Sequence, residues 1–505
     1  MRNKTFFMIC VAALLSCVAA YFVAVDRIAI PDRSVESTYR QFLLKASAPV
    51  KGRIIISSGS NAIYGIDAGM MERHFGRLTI NLADNGNYPL EHKIYNLGNY
   101  VTSDDLIIFP LEWGFYWMGE KLSEIYVQST LDESGSTAFY YRELPFYAKA
   151  LFVFKQIPLS LSLKRVFALN SFPARNSELR RSEREAIGNI SSLLSQGLRG
   201  SDLGDSRMFI VDSDTRILSC DQATFRDRFR VSERFRMDLK LLQSMAAKTG
   251  AKVVFTWPSV VGKIGNECYT SEAARKNMDA YVREIKAEVE GHGFKFIGDP
   301  YESRFDSSCF KDTYYHILHH CAVDRTARLI EHLESEGLMS KRQGYSSEAA
   351  DKTLSDYALG MESSYIKSFG ASPVDTPIEK TDLTKYLYFR QGWGPQEKEG
   401  LWSVGLTSTI IIPKPEKAFK YIRLKGRYLN GIERTGVWIN DNFVGSFKLT
   451  DQVVMVGGYM PSDGNIRLML DYAEPVSMAD PGLNDDQRKT KYVIQGVELM
   501  TDKGI

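Results

Sequence analysis

Short apolar runs alternate with helix-like stretches between residues 51 and 340, and this alternation restricts the fold more than any other feature of the chain. The clearest run, at 53–56, is mostly isoleucine and ends in small residues, after which a helical pattern begins near Ser60. Comparable runs occur at 77–82, 105–111, 251–258 and 295–298. Strands that alternate with helices are typical of a parallel sheet with helices on both faces. We therefore predict an α/β domain over residues 51–344.

An uncharged, largely apolar run covers residues 6–25, directly after Arg2 and Lys4. A run of about 20 such residues is long enough to cross a bilayer as a helix. The two preceding cations place the N-terminus in the cytoplasm by the positive-inside rule. The run is longer than the core of a usual signal peptide, which favours an uncleaved anchor over a removed peptide. We predict a single-pass anchor in the inner membrane at 1–25, a tether at 26–50, and the bulk of the chain in the periplasm or extracytoplasmic space.

The character of the sequence changes near Tyr345. Residues 345–383 are polar and are predicted to form an irregular linker. From 384 to 505, short β-like runs recur with turn residues between them, and no long helical pattern intervenes. This spacing is typical of a compact all-β sandwich. The aromatic stretch at 136–170 is interpreted as helical packing or a lid, with a place at the membrane surface as the alternative.

Composition limits the partners and cofactors. The net charge of +2 gives no reason to expect a nucleic-acid partner, which usually requires a basic domain or stripe. The chain has no Walker-type phosphate loop and no paired Cys-x-x-Cys signature, so neither a metal nor an organic cofactor is predicted. Four cysteines follow the anchor, at 220, 268, 309 and 321. They permit two disulfides in an oxidising compartment, with three pairings open, and free buried thiols are an equally good interpretation.

Three residues form a candidate for nucleophilic chemistry. Ser60 follows the first predicted strand, and Asp312 and His316 lie late in the α/β region. A serine hydroxyl is a poor nucleophile until a base takes its proton, and a carboxylate usually orients that base. Because parallel strands end at one edge of a sheet, these residues are expected to converge there. The alternatives are that Ser60 and Asn61 merely cap a helix and that His316 is an ordinary polar residue.

The ordered segments 58–61, 84–87 and 312–316 resemble the blocks of the SGNH (GDSL-like) hydrolase superfamily. The resemblance covers roughly residues 51–340 and is closer to the membrane-bound and periplasmic branch that O-acetylates polysaccharides, such as the alginate O-acetyltransferases, than to secreted lipases. It implies that Ser60 is the nucleophile, His316 the base and Asp312 its orienting acid. Gly86 would contribute an oxyanion N–H group.

Two positions and one spacing depart from the pattern of that superfamily. Gly59 stands where an Asp usually precedes the nucleophile, and Glu112 stands near the place of an Asn that donates to the oxyanion. The Asp-to-His offset is four residues in place of the usual three. The departures leave the oxyanion donor open, and Asn61 is our candidate substitute, with Asn85 and Asn87 as alternatives.

The segments 392–397 and 400–403 resemble the opening of jelly-roll modules found in bacterial polysaccharide-biosynthesis proteins. Trp393, Trp402 and Trp438 are therefore candidates for stacking on sugar rings, and packing in the sandwich core is equally compatible with them. The predicted function is O-acetyl transfer to an extracytoplasmic polysaccharide, with a membrane acyl-donor protein as a candidate partner. The alternatives are a plain acetylesterase and a non-catalytic, membrane-tethered scaffold or glycan-binding subunit.

Overall fold

The computed structural model describes residues 2–28, 35–119, 146–157, 199–200, 230–261, 272–310, 313, 315–367, 369, 371–379, 382–390, 392–397, 399–403, 406–429, 434–457, 465–472, 476–477, 489–490 and 492–502. The helices in these ranges are α1 (Arg2–Ile28), α2 (Val35–Ser47), α3 (Ser60–Gly65), α4 (Ala68–Phe75), α5 (Leu90–Gly98), α6 (Gly114–Trp117), α7 (Phe146–Leu151), α8 (Glu233–Thr249), α9 (Glu272–Gly291), α10 (His319–Ser335), α11 (Ser347–Ile366) and α12 (Leu383–Tyr386). A π-helical turn, Phe152–Gln156, follows α7, and a 3₁₀ turn forms at Ser307–Cys309.

The strands of the first half are β1 (Ile54–Ile56), β2 (Thr79–Asn81), β3 (Leu106–Pro110), β4 (Lys252–Thr256), β5 (Val260–Val261), β6 (Lys295–Phe296) and β7 (Arg304–Phe305). Those of the second half are β8 (Ile378–Glu379), β9 (Tyr388–Phe389), β10 (Trp393–Glu397), β11 (Gly400–Ser403), β12 (Thr407–Ile412), β13 (Tyr421–Tyr428), β14 (Thr435–Ile439), β15 (Asn442–Phe447), β16 (Asp451–Met455), β17 (Ile466–Tyr472), β18 (Val476–Ser477), β19 (Lys489–Thr490) and β20 (Tyr492–Met500).

A five-stranded parallel sheet, in the order β2-β1-β3-β4-β6, forms the centre of the first half. Every residue of β1, β2 and β3 is buried, as expected for strands covered by helices on both faces. The prediction of a parallel sheet flanked by helices is thereby confirmed. Strand β1 lies between β2 and β3, so the chain order reverses beside it. In open α/β sheets, ligands bind in the crevice that opens at such a point.

The described residues of the second half form two large antiparallel sheets, one in the order β10-β11-β20-β13-β16, with β8 also paired to β20, and one in the order β15-β14-β17-β12-β9. Strands β18 and β19 form a separate two-stranded antiparallel sheet. Both contribute to one buried apolar cluster, in which Ile422 and Leu424 come from the first sheet and Ile410 and Leu468 from the second. The predicted change to an all-β region is therefore present, with the layers of a sandwich. Contacts divide the chain into two compact units, and in the described residues the division along the sequence falls between Leu354 and Ser355.

The stretch that was predicted to be an irregular linker contains the twenty-residue helix α11. Ser346 accepts the N–H of Ala349 at 3.2 Å and so caps its first turn. Ala350, Leu354 and Ala358 recur every fourth residue and are buried. This apolar stripe consists of few and mostly small residues among polar ones, so the helical pattern is not visible in the sequence. The exact domain boundaries stay a prediction.

Helix α1 contains an apolar window, Thr5–Phe22, with a mean hydropathy of 2.2. By length and composition, the window is sufficient to cross a membrane, and a signal sequence has the same properties. Nearly all residues of the window are exposed and make no packing contact that buries them in the rest of the protein.

Candidate active site

Ser60 lies at the first position of α3, just beyond the carboxyl end of β1. The other residues of α3 are buried except Tyr64, which is one turn further along the helix. Residues four apart share one helix face, so Ser60 and Tyr64 point into the same space. Both line an open pocket of about 720 Å³. Within the described part of the chain, neither the hydroxyl nor the N–H of Ser60 has a hydrogen-bond partner.

Glu112 follows β3 and reaches across to the turn before Ser60. Its buried carboxylate accepts the N–H groups of Gly59 at 3.1 Å and Asn61 at 3.0 Å, and it lies 3.3 Å from the Ser58 hydroxyl. A Cβ atom on residue 59 would stand 2.2 Å from the Glu112 carboxylate. Gly59 and Glu112 are thus one structural feature, because the carboxylate fills the space that any side chain at position 59 would need.

Asn61 does not serve as the oxyanion donor that the sequence suggested. Its amide donates to the Ser58 hydroxyl at 3.0 Å and to the Pro110 carbonyl at 2.9 Å, and its backbone N–H is taken by Glu112. Its side-chain oxygen Oδ1 accepts a hydrogen bond from the Arg325 guanidinium at 2.9 Å, and the whole side chain is buried. Asn61 therefore fixes the turn from behind, and the pocket receives none of its donors.

Arg325, on α10, is a structural residue that the sequence analysis missed. Its guanidinium donates to the Asn61 backbone carbonyl at 3.0 Å and to the Trp257 carbonyl at 3.1 Å. Burial lowers the pKa of Arg325 to about 10, and the Glu112 carboxylate opposes that shift. The buried positions of α10 recur at helical spacing and include Arg325. The position of the charged Arg325 on the core-facing stripe of α10 was the sequence signal that could have identified it as a structural residue.

The second segment of the pocket is the loop after β2. Gly86 lines the pocket, and its N–H has no partner within the described residues. Lys93, on α5, holds this loop by contacting the Asp84 carboxylate and donating to the Asn85 carbonyl at 3.3 Å. Burial lowers the pKa of the Lys93 amine, and the Glu112 carboxylate counteracts this in part. Asn85 is exposed and bonds to Asn87.

The third segment carries His316. Its ring packs on Tyr64 with centroids 4.3 Å apart, which places the imidazole beside the helix face that bears Ser60. The Thr313 hydroxyl accepts the N–H of His316 at 3.2 Å. The loop is also tied to the sheet, because Ser259 donates to the Tyr315 carbonyl at 3.1 Å. Asp312 lies outside the described residues, so its predicted role stays a prediction.

A disulfide joins Cys309 to Cys321 and closes the hairpin that contains His316. An isolated β-bridge between Phe310 and Ile317 supports the same closure. The sequence left three pairings and free thiols open, and the structure shows that Cys309 and Cys321 form a disulfide with each other. The cysteines at positions 220 and 268 lie outside the described residues.

Replacing Cys309 and Cys321 together by alanine is expected to destabilise the α/β unit by about 3 kcal/mol, because the unfolded chain regains the entropy of a short closed loop. Thermal melting with and without reductant tests the expectation. Reductant should lower the melting temperature of the wild type more than that of the alanine variant. Equal melting temperatures for the two proteins without reductant would contradict the stabilising role.

Replacing Glu112 by glutamine is expected to destabilise the fold by about 1–3 kcal/mol, because an amide nitrogen cannot accept the N–H that the second carboxylate oxygen now receives. The turn at Gly59 should then loosen. The matched control is Glu331→Gln, which changes an exposed carboxylate on α10. Chemical denaturation of both variants measures the difference, and equal stabilities would show that the Glu112 contacts contribute little.

The three candidate tryptophans are not equivalent. Trp402 is 3% exposed, with Arg427 over its ring, so it offers no free face for a sugar. Trp393 packs against the sandwich core and donates to the Thr409 carbonyl at 3.0 Å. Trp438 is partly exposed on β14. Its ring centroid lies 5.1 Å from that of Phe443, which is 54% exposed. Of the three, Trp438 is the one that lies beside a largely exposed aromatic ring.

No protein-family model and no curated protein matches the chain. Among solved structures, an acetyl xylan esterase from the rumen bacterium Butyrivibrio proteoclasticus aligns with 25% of this chain at 11% identity and a TM-score of 0.18, and the match spans 32% of the esterase. The carbohydrate-binding module CBM36, solved with calcium and xylotriose, aligns with 24% of this chain and 98% of its own at 15% identity and a TM-score of 0.16. The capsular polysaccharide assembling protein CapF from Staphylococcus aureus aligns with 89% of this chain and 97% of its own at 14% identity and a TM-score of 0.13. At these scores the alignments assign no family and no activity.

Proposed function

We propose that this chain is a membrane-anchored serine enzyme of the SGNH type that moves or removes O-acetyl groups on an extracytoplasmic polysaccharide. The observation that carries the proposal is the convergence of Ser60, Gly86 and His316 on one pocket beside β1. They come from three separate segments of the chain, in the order that the superfamily resemblance implies. A nucleophile, a base and two N–H donors in one crevice are the parts that acyl transfer requires.

In the proposed reaction, the Ser60 oxygen attacks the acetyl carbonyl carbon while His316 takes the hydroxyl proton. The N–H groups of Ser60 and Gly86 donate to the carbonyl oxygen as it becomes negative. The carbon–oxygen bond to the leaving alcohol then breaks, and His316 returns the proton to that alcohol. Water or a sugar hydroxyl resolves the acetyl-serine, which gives hydrolysis or transfer. Asp312 is proposed to orient the imidazole.

The β-sandwich is proposed to contact the glycan. Support comes from Trp438 and Phe443, two neighbouring aromatic rings that are partly exposed on β14 and β15. Sugars present C–H faces that pack on such rings. Glycan affinity of the full chain should fall in Trp438→Ala and persist in Met455→Ala, which removes another exposed apolar side chain of the same region.

A specific observation favours a second candidate, a non-catalytic scaffold. The Glu112 carboxylate lies close to Gly86, since a Cβ on residue 86 would stand 3.4 Å from it. A negative charge near the oxyanion site opposes the developing charge of the intermediate. Three donors already satisfy this carboxylate, which lessens the conflict and keeps the enzyme proposal first.

The deciding experiment treats purified full-length protein with a serine-directed fluorophosphonate and locates the adduct by peptide mass spectrometry. An adduct on the Ser60 peptide, together with acetate release from an acetylated glycan, supports the enzyme proposal. Acetyl groups that appear on an added acceptor glycan indicate transfer, and free acetate alone indicates hydrolysis. A protein that binds glycan but takes no adduct and releases no acetate is the scaffold.

A further inference from the structure

The segment formed by α7 and the following π-helical turn, residues 146–157, has one buried and one exposed face. Phe152, Val153 and Ile157 are packed inside the protein. Phe146 and Tyr147 are 74% and 73% exposed. Single exposed apolar side chains are common, but several on one face mark a surface that contacts something apolar.

The exposed face is continuous with the apolar surface of α1. Phe146 packs edge-on against Phe22 of α1, with ring centroids 5.2 Å apart. The ring centroid of Phe154, a residue that is 49% exposed, lies 5.8 Å from that of Tyr21 and 6.3 Å from that of Phe22. The segment is therefore fixed to one particular part of α1.

That part is the end of the apolar window, because Phe22 is the last residue of Thr5–Phe22. A helix rises about 1.5 Å per residue, so the window is close to the thickness of a bilayer core and its last residues lie near one boundary. Aromatic side chains concentrate at that boundary, where the ring meets lipid and the polar edge meets water.

We propose that residues 146–157 form an interfacial membrane element, which lies in the headgroup region of the leaflet from which α1 emerges. Phe146, Tyr147 and Phe154 insert beside α1 and make a second contact with the lipid. The occupant of the exposed face is the bilayer, since the face continues a surface that ends at the bilayer boundary. The proposal concerns position on the membrane and is independent of the proposed chemistry.

The test uses the full chain in lipid nanodiscs, with a genetically encoded fluorescent amino acid in place of Tyr147. The matched control carries the same fluorophore in place of Met237, which is 58% exposed on α8. Lipids brominated in their acyl chains should quench the fluorophore at 147 severalfold more than they quench it at 237. Aqueous iodide should show the reverse order. Position 147 as accessible to iodide as position 237, or quenched by neither agent, would overturn the proposal.

A second variant keeps the result independent of the probe at 147. With the fluorophore in place of Lys155, lipid quenching should be lost when Phe146, Tyr147 and Phe154 are replaced by serine, although α1 is unchanged. Hydrolysis of a small soluble ester, where present, should be unaffected by the three replacements. Undiminished lipid quenching in the triple variant would contradict the role of these side chains.

Discussion

Replacing Ser60 by alanine is expected to lower ester turnover by on the order of 10³-fold or more, without a measurable change in melting temperature. The substitution removes the attacking oxygen and nothing else, because the Ser60 hydroxyl has no partner among the described residues. The assay is release or transfer of acetyl from an ester substrate, with intact-mass detection of an acetyl adduct. The matched control is Ser347→Ala, an exposed serine at the start of α11, which should keep full activity.

His316→Ala should cost about as much as the serine change, and the double variant should cost little more, because a nucleophile and its base act as a unit. Asp312→Ala is expected to cost less, given its irregular spacing from the histidine. Wild-type acetylation in cells that carry Ser60→Ala would end the enzyme proposal and leave the scaffold in its place.

The sequence was sufficient to predict the parallel sheet, and the roles of Ser60 as nucleophile and His316 as base stay predictions. Strands β1, β2 and β3 are short, apolar and fully buried, so their pattern is legible without tertiary information. Ser60 and His316 were predicted from their order in the chain and from the chemistry that a serine requires. The structure then brings both to the pocket beside β1.

The details of the turn before Ser60 were beyond prediction, because they depend on which strands are neighbours. Glu112 can accept the Gly59 N–H only because β3 lies directly beside β1 in the sheet. From the sequence alone, Glu112 stands near the place of the expected oxyanion donor, and Asn61 is the predicted substitute for that donor. In the structure, Glu112 caps the turn and Asn61 is buried behind it. No local pattern encodes an interaction between residues that are 53 positions apart.

Stability of the sheet is expected to depend on a buried ion pair that a sequence pattern also could not reveal. Arg53 and Asp105 precede β1 and β3, and both side chains are fully buried, with a 2.6 Å contact between them. The Asp105 carboxylate also accepts the backbone N–H groups of Arg53 and Thr102, each at 2.8 Å. The pair therefore fastens the amino ends of two adjacent strands beneath the pocket.

Asp105→Asn is expected to destabilise the α/β unit by about 3–5 kcal/mol, because it leaves the buried Arg53 charge without its counter-ion. Adding Arg53→Met should recover part of that loss, since the orphaned charge is removed while the asparagine oxygen still accepts one N–H. The control is Glu336→Gln, which breaks an exposed pair with Lys295 and should cost no more than about 1 kcal/mol. Hydrogen exchange of the β1 and β3 peptides in denaturant measures all three variants. A double variant less stable than Asp105→Asn alone would show that the uncompensated charge contributes little and that Arg53 stabilises the fold through its other acceptors, the Ser47 hydroxyl and the Tyr100 carbonyl.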